Sequence, residues 1–248
     1  MIIIKKSKEI EYMRHSGRVV GKTLAKLQEY VKPGITTGEL DRIAEEYIRS
    51  QNAIPSFKGY YGFPASICAS VNNEVVHGIP GKKVLQEGDI ISIDCGAILN
   101  GYHGDAARTF AVGKISKEAE DLIKITKKSF FKGIEKAIIG NRLSDISSEI
   151  QKYAESHGYS IVRDYVGHGI GTQMHEDPEI PNFGVSGRGP KLVEGMVLAI
   201  EPMVNIGKYN VRVQQNNWTV VTEDGTLSAH YENTVAILND GPELLTLC

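Results

Sequence analysis

The chain of 248 residues is 41% hydrophobic and 23% charged, with a net charge of −2. That composition excludes wholesale disorder and offers no electrostatic reason to bind nucleic acid. Cys68, Cys95 and Cys248 are scattered and form no CxxC motif, which argues against a disulfide framework or zinc finger and for a reducing, cytoplasmic setting.

No apolar run approaches the roughly 18 residues of a membrane span, and Ile2–Ile4 is too short for a signal sequence. The first helical pattern opens at Ser7 and runs to about Gln28, where Val31-Lys32-Pro33-Gly34 breaks it. A second runs from Thr37 to Arg49, with Leu40, Ile43, Ala44, Tyr47 and Ile48 on one stripe. Strand-like sequence follows from Leu85 to Asp94. Asn100-Gly101 is a strong two-residue hairpin signal. It sets Leu99 opposite Tyr102, Asp94 opposite Ala107 and Asp105 opposite Gly96. Alternation then places Asp94 and Asp105 on one face as diagonal neighbours, about 7–8 Å apart, with Gly96 leaving room beside Asp105.

The second half repeats the first. A helical pattern opens at Ser116 and runs to about Ile139, Gly140 breaks it, and another helix spans Ser144 to Glu155. Both halves open on a Ser that suits an N-cap, with acidic residues in the first turn. Leu192 to Glu201 echoes Leu85 to Asp94, each ending in a carboxylate. Asp105 precedes Thr109-Phe110-Ala111-Val112 much as Glu232 precedes Thr234-Val235-Ala236-Ile237. Chance alignment of common patterns is the alternative to duplication. Duplication implies one domain over 1–248, made of two α+β halves (1–113 and 114–248) about an approximate two-fold axis. The halves would share one core, with the paired acids meeting near the axis.

Two carboxylates on one largely apolar face repel, and a divalent cation is the economical compensation; a solvated sheet face is the alternative. Glu201 reads as a ligand or a strand-end cap, and Glu232 is equally open. His168 and His175 share a glycine-rich loop, Gly167 to Glu176, whose glycines allow close approach to a ligand. Their spacing is not that of a helical zinc protease. His77 lies in the matching approach of the first half. His15, His103, His157 and His230 read as surface or packing residues.

The ordered set His77, Asp94, Asp105, His168, His175, Glu201 and Glu232 resembles type I methionine aminopeptidases of peptidase family M24. So do the strings Val75-Val76-His77-Gly78-Ile79-Pro80, Gly167-His168-Gly169-Ile170-Gly171 and Ala199-Ile200-Glu201-Pro202. Glu201 and Glu232 stand too close in sequence for the helical insertion of type II enzymes. The resemblance implies an α/β (α+β) pita-bread fold around a central curved antiparallel sheet. It also implies a hydrolase that removes N-terminal methionine when the second residue is small.

By position, the resemblance makes Asp94, Asp105, His168, Glu201 and Glu232 ligands of two divalent cations (Co, Mn, Fe(II) or Zn), with Asp105 and Glu232 bridging. It makes Glu201 a proton shuttle, His175 a stabiliser of the oxyanion, and His77 a contact for the amide nitrogen or leaving group. The methionine pocket falls on Phe57, Tyr60, Phe63, Cys68 and Trp218, Phe57 standing where a small residue is usual. Expected partners are methionine-initiated peptides and nascent proteins, with a ribosome contact compatible with that substrate. A cytoplasmic monomer is expected, with no membrane or nucleic-acid partner. A prolidase or aminopeptidase P of the same fold, or a non-enzymatic scaffold, are the alternatives.

Overall fold

The computed structural model describes residues 1–247; Cys248 lies outside the described residues. Each half begins with a packed helix pair. Helices α1 (Ser7–Tyr30) and α2 (Thr37–Ser50) serve the first. Thr36 caps α2, its hydroxyl accepting the Glu39 N–H while the Glu39 carboxylate takes the Thr36 N–H. At α1 the cap is Lys6 rather than Ser7, because the Glu9 carboxylate reaches back to the Lys6 N–H at 2.8 Å and starts the helix one residue earlier.

Strands β1 (Ile54–Pro55), β2 (Ile67–Val71), β3 (Glu74–Val76), β4 (Ile90–Leu99) and β5 (Tyr102–Ala111) follow. The β4–β5 hairpin has the expected register: Leu99 faces Tyr102, Asp94 faces Ala107, and Gly96 faces Asp105. Along its other edge β4 pairs with β2 and then β1.

The second half opens with α3 (Lys117–Ile134), capped by Ser116, and α4 (Leu143–Ser156). Helix α3 stops at Ile134, short of the expected Ile139. Gly133 is pressed against Ile146 and Ile150 of α4. The N–H groups of Lys136 and Ala137 then turn to the tighter i−3 carbonyls of Gly133 and Ile134.

Ten short strands follow among the described residues: β6 (Ser160–Ile161), β7 (Gly167–Gly169), β8 (Glu176–Ile180), β9 (Val197–Ile200), β10 (Met203–Asn205), β11 (Val211–Val213), β12 (Val220–Thr222), β13 (Ser228–His230), β14 (Asn233–Leu238) and β15 (Gly241–Leu244). All pairings are antiparallel. A five-stranded sheet has the order β15-β14-β9-β7-β8, and two three-stranded sheets are β13-β10-β6 and β11-β12-β3.

One apolar cluster fills each half: α1, α2, β2, β4 and β5 in the first, α3, α4, β9 and β14 in the second. A smaller cluster joins them, with Ile10 and Met13 of α1 against Val197, Ala199 and Ala236. The halves meet along β5 and the β13–β14 segment. The Thr234 hydroxyl accepts the Asp105 N–H and donates to the Asp105 carbonyl, both at 2.9 Å. The Thr109 hydroxyl does the same with the His230 N–H and carbonyl, again at 2.9 Å. The Glu232 N–H reaches the Ala107 carbonyl at 3.0 Å. Arg108 donates to the carbonyls of Ala107 and Glu232 and to Asn233, and lies over the Tyr231 ring.

This seam corrects the internal alignment. Ile200 faces Asn233 in β9–β14, so Glu201 stands level with Glu232 as Asp94 stands level with Ala107. Thr109 and Thr234 are the matched pair. The counterpart of Glu232 is therefore Ala107, not Asp105, and the counterpart of Asp105 is His230.

Candidate metal centre

Four carboxylates and two imidazoles converge at the seam. Cys68, Asp94 and Ala107 form one row across β2, β4 and β5, and alternation brings Asp105 to the same face. The Asp94 and Asp105 side chains therefore share one face of the hairpin as diagonal neighbours. Glu201 follows the end of β9, and Glu232 precedes β14, so both enter from the second half. His168 completes the group from β7, where it faces Ala199. Its Nε2 lies 3.8 Å from Asp105 Oδ2 and 3.7 Å from Glu201 Oε1. Potential ligand atoms of Asp105, His168 and Glu232 lie within 4.8 Å of one another.

His168 is on a strand, not in a loop shared with His175. The flanking glycines serve neighbouring strands: a Cβ on Gly167 would fall 2.3 Å from the Ala199 carbonyl oxygen, and one on Gly169 2.1 Å from that of Asp177. His168 Nδ1 is 2.9 Å from the Gly169 carbonyl oxygen, an acceptor that puts the proton on Nδ1 and aims the bare Nε2 at the carboxylates.

The electrostatics call for cations. Burial pushes the Asp94 carboxyl up to about 7. Burial, then the neighbouring carboxylates, pushes Asp105, Glu201 and Glu232 well above the usual range. One oxygen each of Asp94, Asp105 and Glu232 is buried without a hydrogen-bond partner. Buried acceptors left bare are costly. A hard oxygen-rich set with one or two imidazoles suits divalent cations of the Mn, Fe(II), Co or Zn type, so the residues present fit the metals that the resemblance implies.

A cavity of about 260 Å³ opens onto this cluster. Its apolar wall is Phe57, Phe63, Cys68 and Met174, with Tyr60 and Trp218 packed alongside. The rings of Phe63 and Trp218 meet edge to face at 5.1 Å. Gly96 does not leave empty space beside Asp105: Phe57 fills it, and a Cβ on Gly96 would sit 2.7 Å from Phe57 Cε1. The large residue at 57 and the missing side chain at 96 compensate each other.

His175 stands exposed at the mouth, its Nδ1 2.8 Å from the Tyr60 hydroxyl and its ring 4.2 Å from that of His168. His77, at φ +58°, packs near Tyr165 and Trp218. Burial, then the neighbouring His175, lowers it to about 4.

Three residues of the site escaped the sequence reading. Met174 and the exposed Tyr61 line the cavity. His230, read there as surface or packing, is 2% exposed, and its Nε2 lies 3.7 Å from Glu201 and 3.9 Å from Glu232. Its place two residues before Glu232, on the same face, was the available signal. His103 sits 2.8 Å from the Ser56 hydroxyl. His15 and His157 are at the surface.

The model of metallopeptidase family M24 matches residues 11–239. The methionine aminopeptidase of Clostridium acetobutylicum is 71% identical over all of both chains. Methionine aminopeptidase 1 of Bacillus subtilis is 56% identical over 99% of each. Among solved structures, methionine aminopeptidase of Thermotoga maritima superposes over all of both chains with a TM-score of 0.99 at 44% identity. The prolidase of Pyrococcus furiosus, at 24% identity and TM-score 0.81 over 66% of its length, shares the fold. With the fold, the acidic centre and these relatives in agreement, the chain belongs to metallopeptidase family M24, on its methionine aminopeptidase branch.

Proposed function

We propose that this chain removes the N-terminal methionine from peptides and newly made proteins whose second residue is small. One observation carries the reading: a cavity of about 260 Å³ with an apolar wall opens directly onto four converging carboxylates and His168. Asp94, Asp105, His168, Glu201 and Glu232 would hold two divalent cations, with Asp105 and Glu232 shared. Cations there would supply Lewis-acid polarisation of the scissile carbonyl and a water acidic enough to react at neutral pH.

The protein groups do the rest. Glu201 accepts the proton released on attack and passes it to the departing amine. His175 donates from Nε2 to the carbonyl oxygen as charge builds, because the Tyr60 hydroxyl occupies Nδ1. His77, neutral at physiological pH, contacts the nitrogen of the scissile bond. The thioether enters the cavity between Phe57, Phe63, Cys68 and Trp218, where aromatic rings suit sulfur. The free α-amine finds its charge complement only at the acidic cluster, so cleavage stops at the first residue. Both halves of the site come from one chain, which supports a monomer as the working unit. Newly made chains as substrates support a cytoplasmic place near the ribosome.

The test is hydrolysis of Met-Ala-Ser, Met-Leu-Ser and a Phe-Pro dipeptide, with and without chelator. We expect chelator-sensitive cleavage of Met-Ala-Ser, at least about a hundredfold slower cleavage of Met-Leu-Ser, and none of Phe-Pro. Preference for the prolyl substrate overturns the reading.

A further inference from the structure

The two-fold match at the seam puts a histidine where the other half has an acid. Thr109 brackets the backbone of His230 as Thr234 brackets that of Asp105. Asp94 and Asp105 share one face of the β4–β5 hairpin in one half, and Glu201 and His230 approach to 3.7 Å in the other. The His230 ring is fully enclosed, and its Nε2 has no hydrogen-bond partner.

At 3.7 and 3.9 Å from Glu201 and Glu232, Nε2 is beyond hydrogen-bonding distance of either. These spacings repeat those of His168, 3.7 and 3.8 Å from Glu201 and Asp105. Each oxygen of Glu201 thus faces one imidazole. Two ligand atoms about 2.1 Å from one ion stand roughly 3–4 Å apart when they subtend wide angles. Glu201, His230 and Glu232 form such a trio, and all three can present an atom within 4.8 Å of the others.

We propose that His230 is a metal ligand, its Nε2 sharing a divalent cation with Glu201 and Glu232. The inference rests on the dinuclear reading above and extends it from five ligands to six. A second imidazole shifts the preference of the centre toward borderline ions such as Co, Fe(II) and Zn and away from Mg.

Cobalt(II) is the probe. Crystals of the Co(II)-loaded protein should show His230 Nε2 about 2.1 Å from one ion in the anomalous map. Ions bound to the carboxylates and His168, with His230 hydrogen-bonded to Glu201 instead, would overturn the proposal and leave the dinuclear reading standing. No bound ion under excess Co(II) would remove both. In calorimetric titration, folded His230→Gln should lose at least about tenfold in Co(II) affinity at one site. Unchanged affinity at both sites overturns the ligand role. Should that variant fail to fold, the wild-type map decides alone.

Discussion

At the scale of single residues, His168 and His175 lie side by side yet face different partners. His168 Nε2 points at Asp105 and Glu201, whereas His175 is held by Tyr60 at the cavity mouth. His175→Ala should lower kcat by about a hundredfold, the usual loss for one oxyanion donor, with Co(II) affinity intact; His168→Ala should lose affinity directly. Equal metal loss in both variants, measured by calorimetry, would contradict that division. Asp105→Asn keeps the shape of the side chain but removes the charge that, on the proposed reading, would offset two cations. We expect a folded protein that loses both ions together and at least about a hundredfold in activity. Asp94→Asn should weaken one ion and leave the other titratable. The aspartates were legible in the sequence because one Asn-Gly turn determines their register. His230 carried only one local signal, its place two residues before Glu232, because Glu201, which it faces, comes from the end of another strand.

Elements position these residues through two close fits. On β4, Gly96 admits the Phe57 ring, and a methyl group there collides with Phe57 Cε1 and Ser56 Cβ. Gly96→Ala should therefore displace Phe57 into the cavity and raise KM for Met-Ala-Ser severalfold, with metal stoichiometry unchanged. Phe57→Leu in the same chain should recover part of the loss; a crystal structure with Phe57 unmoved would contradict this account. Across the seam, the Thr234 hydroxyl satisfies both backbone groups of Asp105. Thr234→Val keeps the volume and strands that buried donor and acceptor, at a cost of about 1–3 kcal/mol. Lower Tm and weaker Co(II) binding should appear together. The helices were legible because each apolar stripe is local, but the α1 cap fell on Lys6 rather than Ser7, and the end of α3 was set by Gly133 meeting α4, which no local pattern records.

For the whole molecule, the acidic centre works against the fold until cations fill it. Metal-free Asp94 has its carboxyl raised to about 7 by burial. Its contribution to stability is complete below the ordinary range near 4 and is lost as pH rises through about 7. His168 is depressed to about 3, chiefly by burial; its contribution is complete above about 6.5 and is lost as pH falls through about 3. These trends oppose each other in the metal-free protein. They agree for cation binding, because protons on either group compete with metal. The rise in Tm on adding Co(II) should therefore grow from pH 5 to pH 8, and protons should be released into weak buffer. A rise in Tm that is flat across this range would mean that the cations are held elsewhere. Chelated protein should keep its helical circular dichroism, since an apolar cluster fills each half without help from the centre.

The sequence by itself determined the helix pairs, the β4–β5 register and the repetition of the halves. Each follows from short-range periods, caps and a turn dipeptide acting over a few residues. It also carried the ordered acids and histidines, because their residue types survive without coordinates. Only the tertiary structure decided which residues of the two halves are equivalent. The sequence similarity placed Asp105 and Glu232 in similar contexts, while the seam matches Asp105 with His230 and Glu232 with Ala107. Only in three dimensions do Phe57 and Gly96 interlock, and only there does His168 sit on a strand whose glycines admit the neighbouring backbones. The physical reason is the range of the forces involved. Backbone preferences act between neighbours in sequence, whereas repulsion among buried carboxylates and contact across the seam act between groups that meet only once both halves have folded.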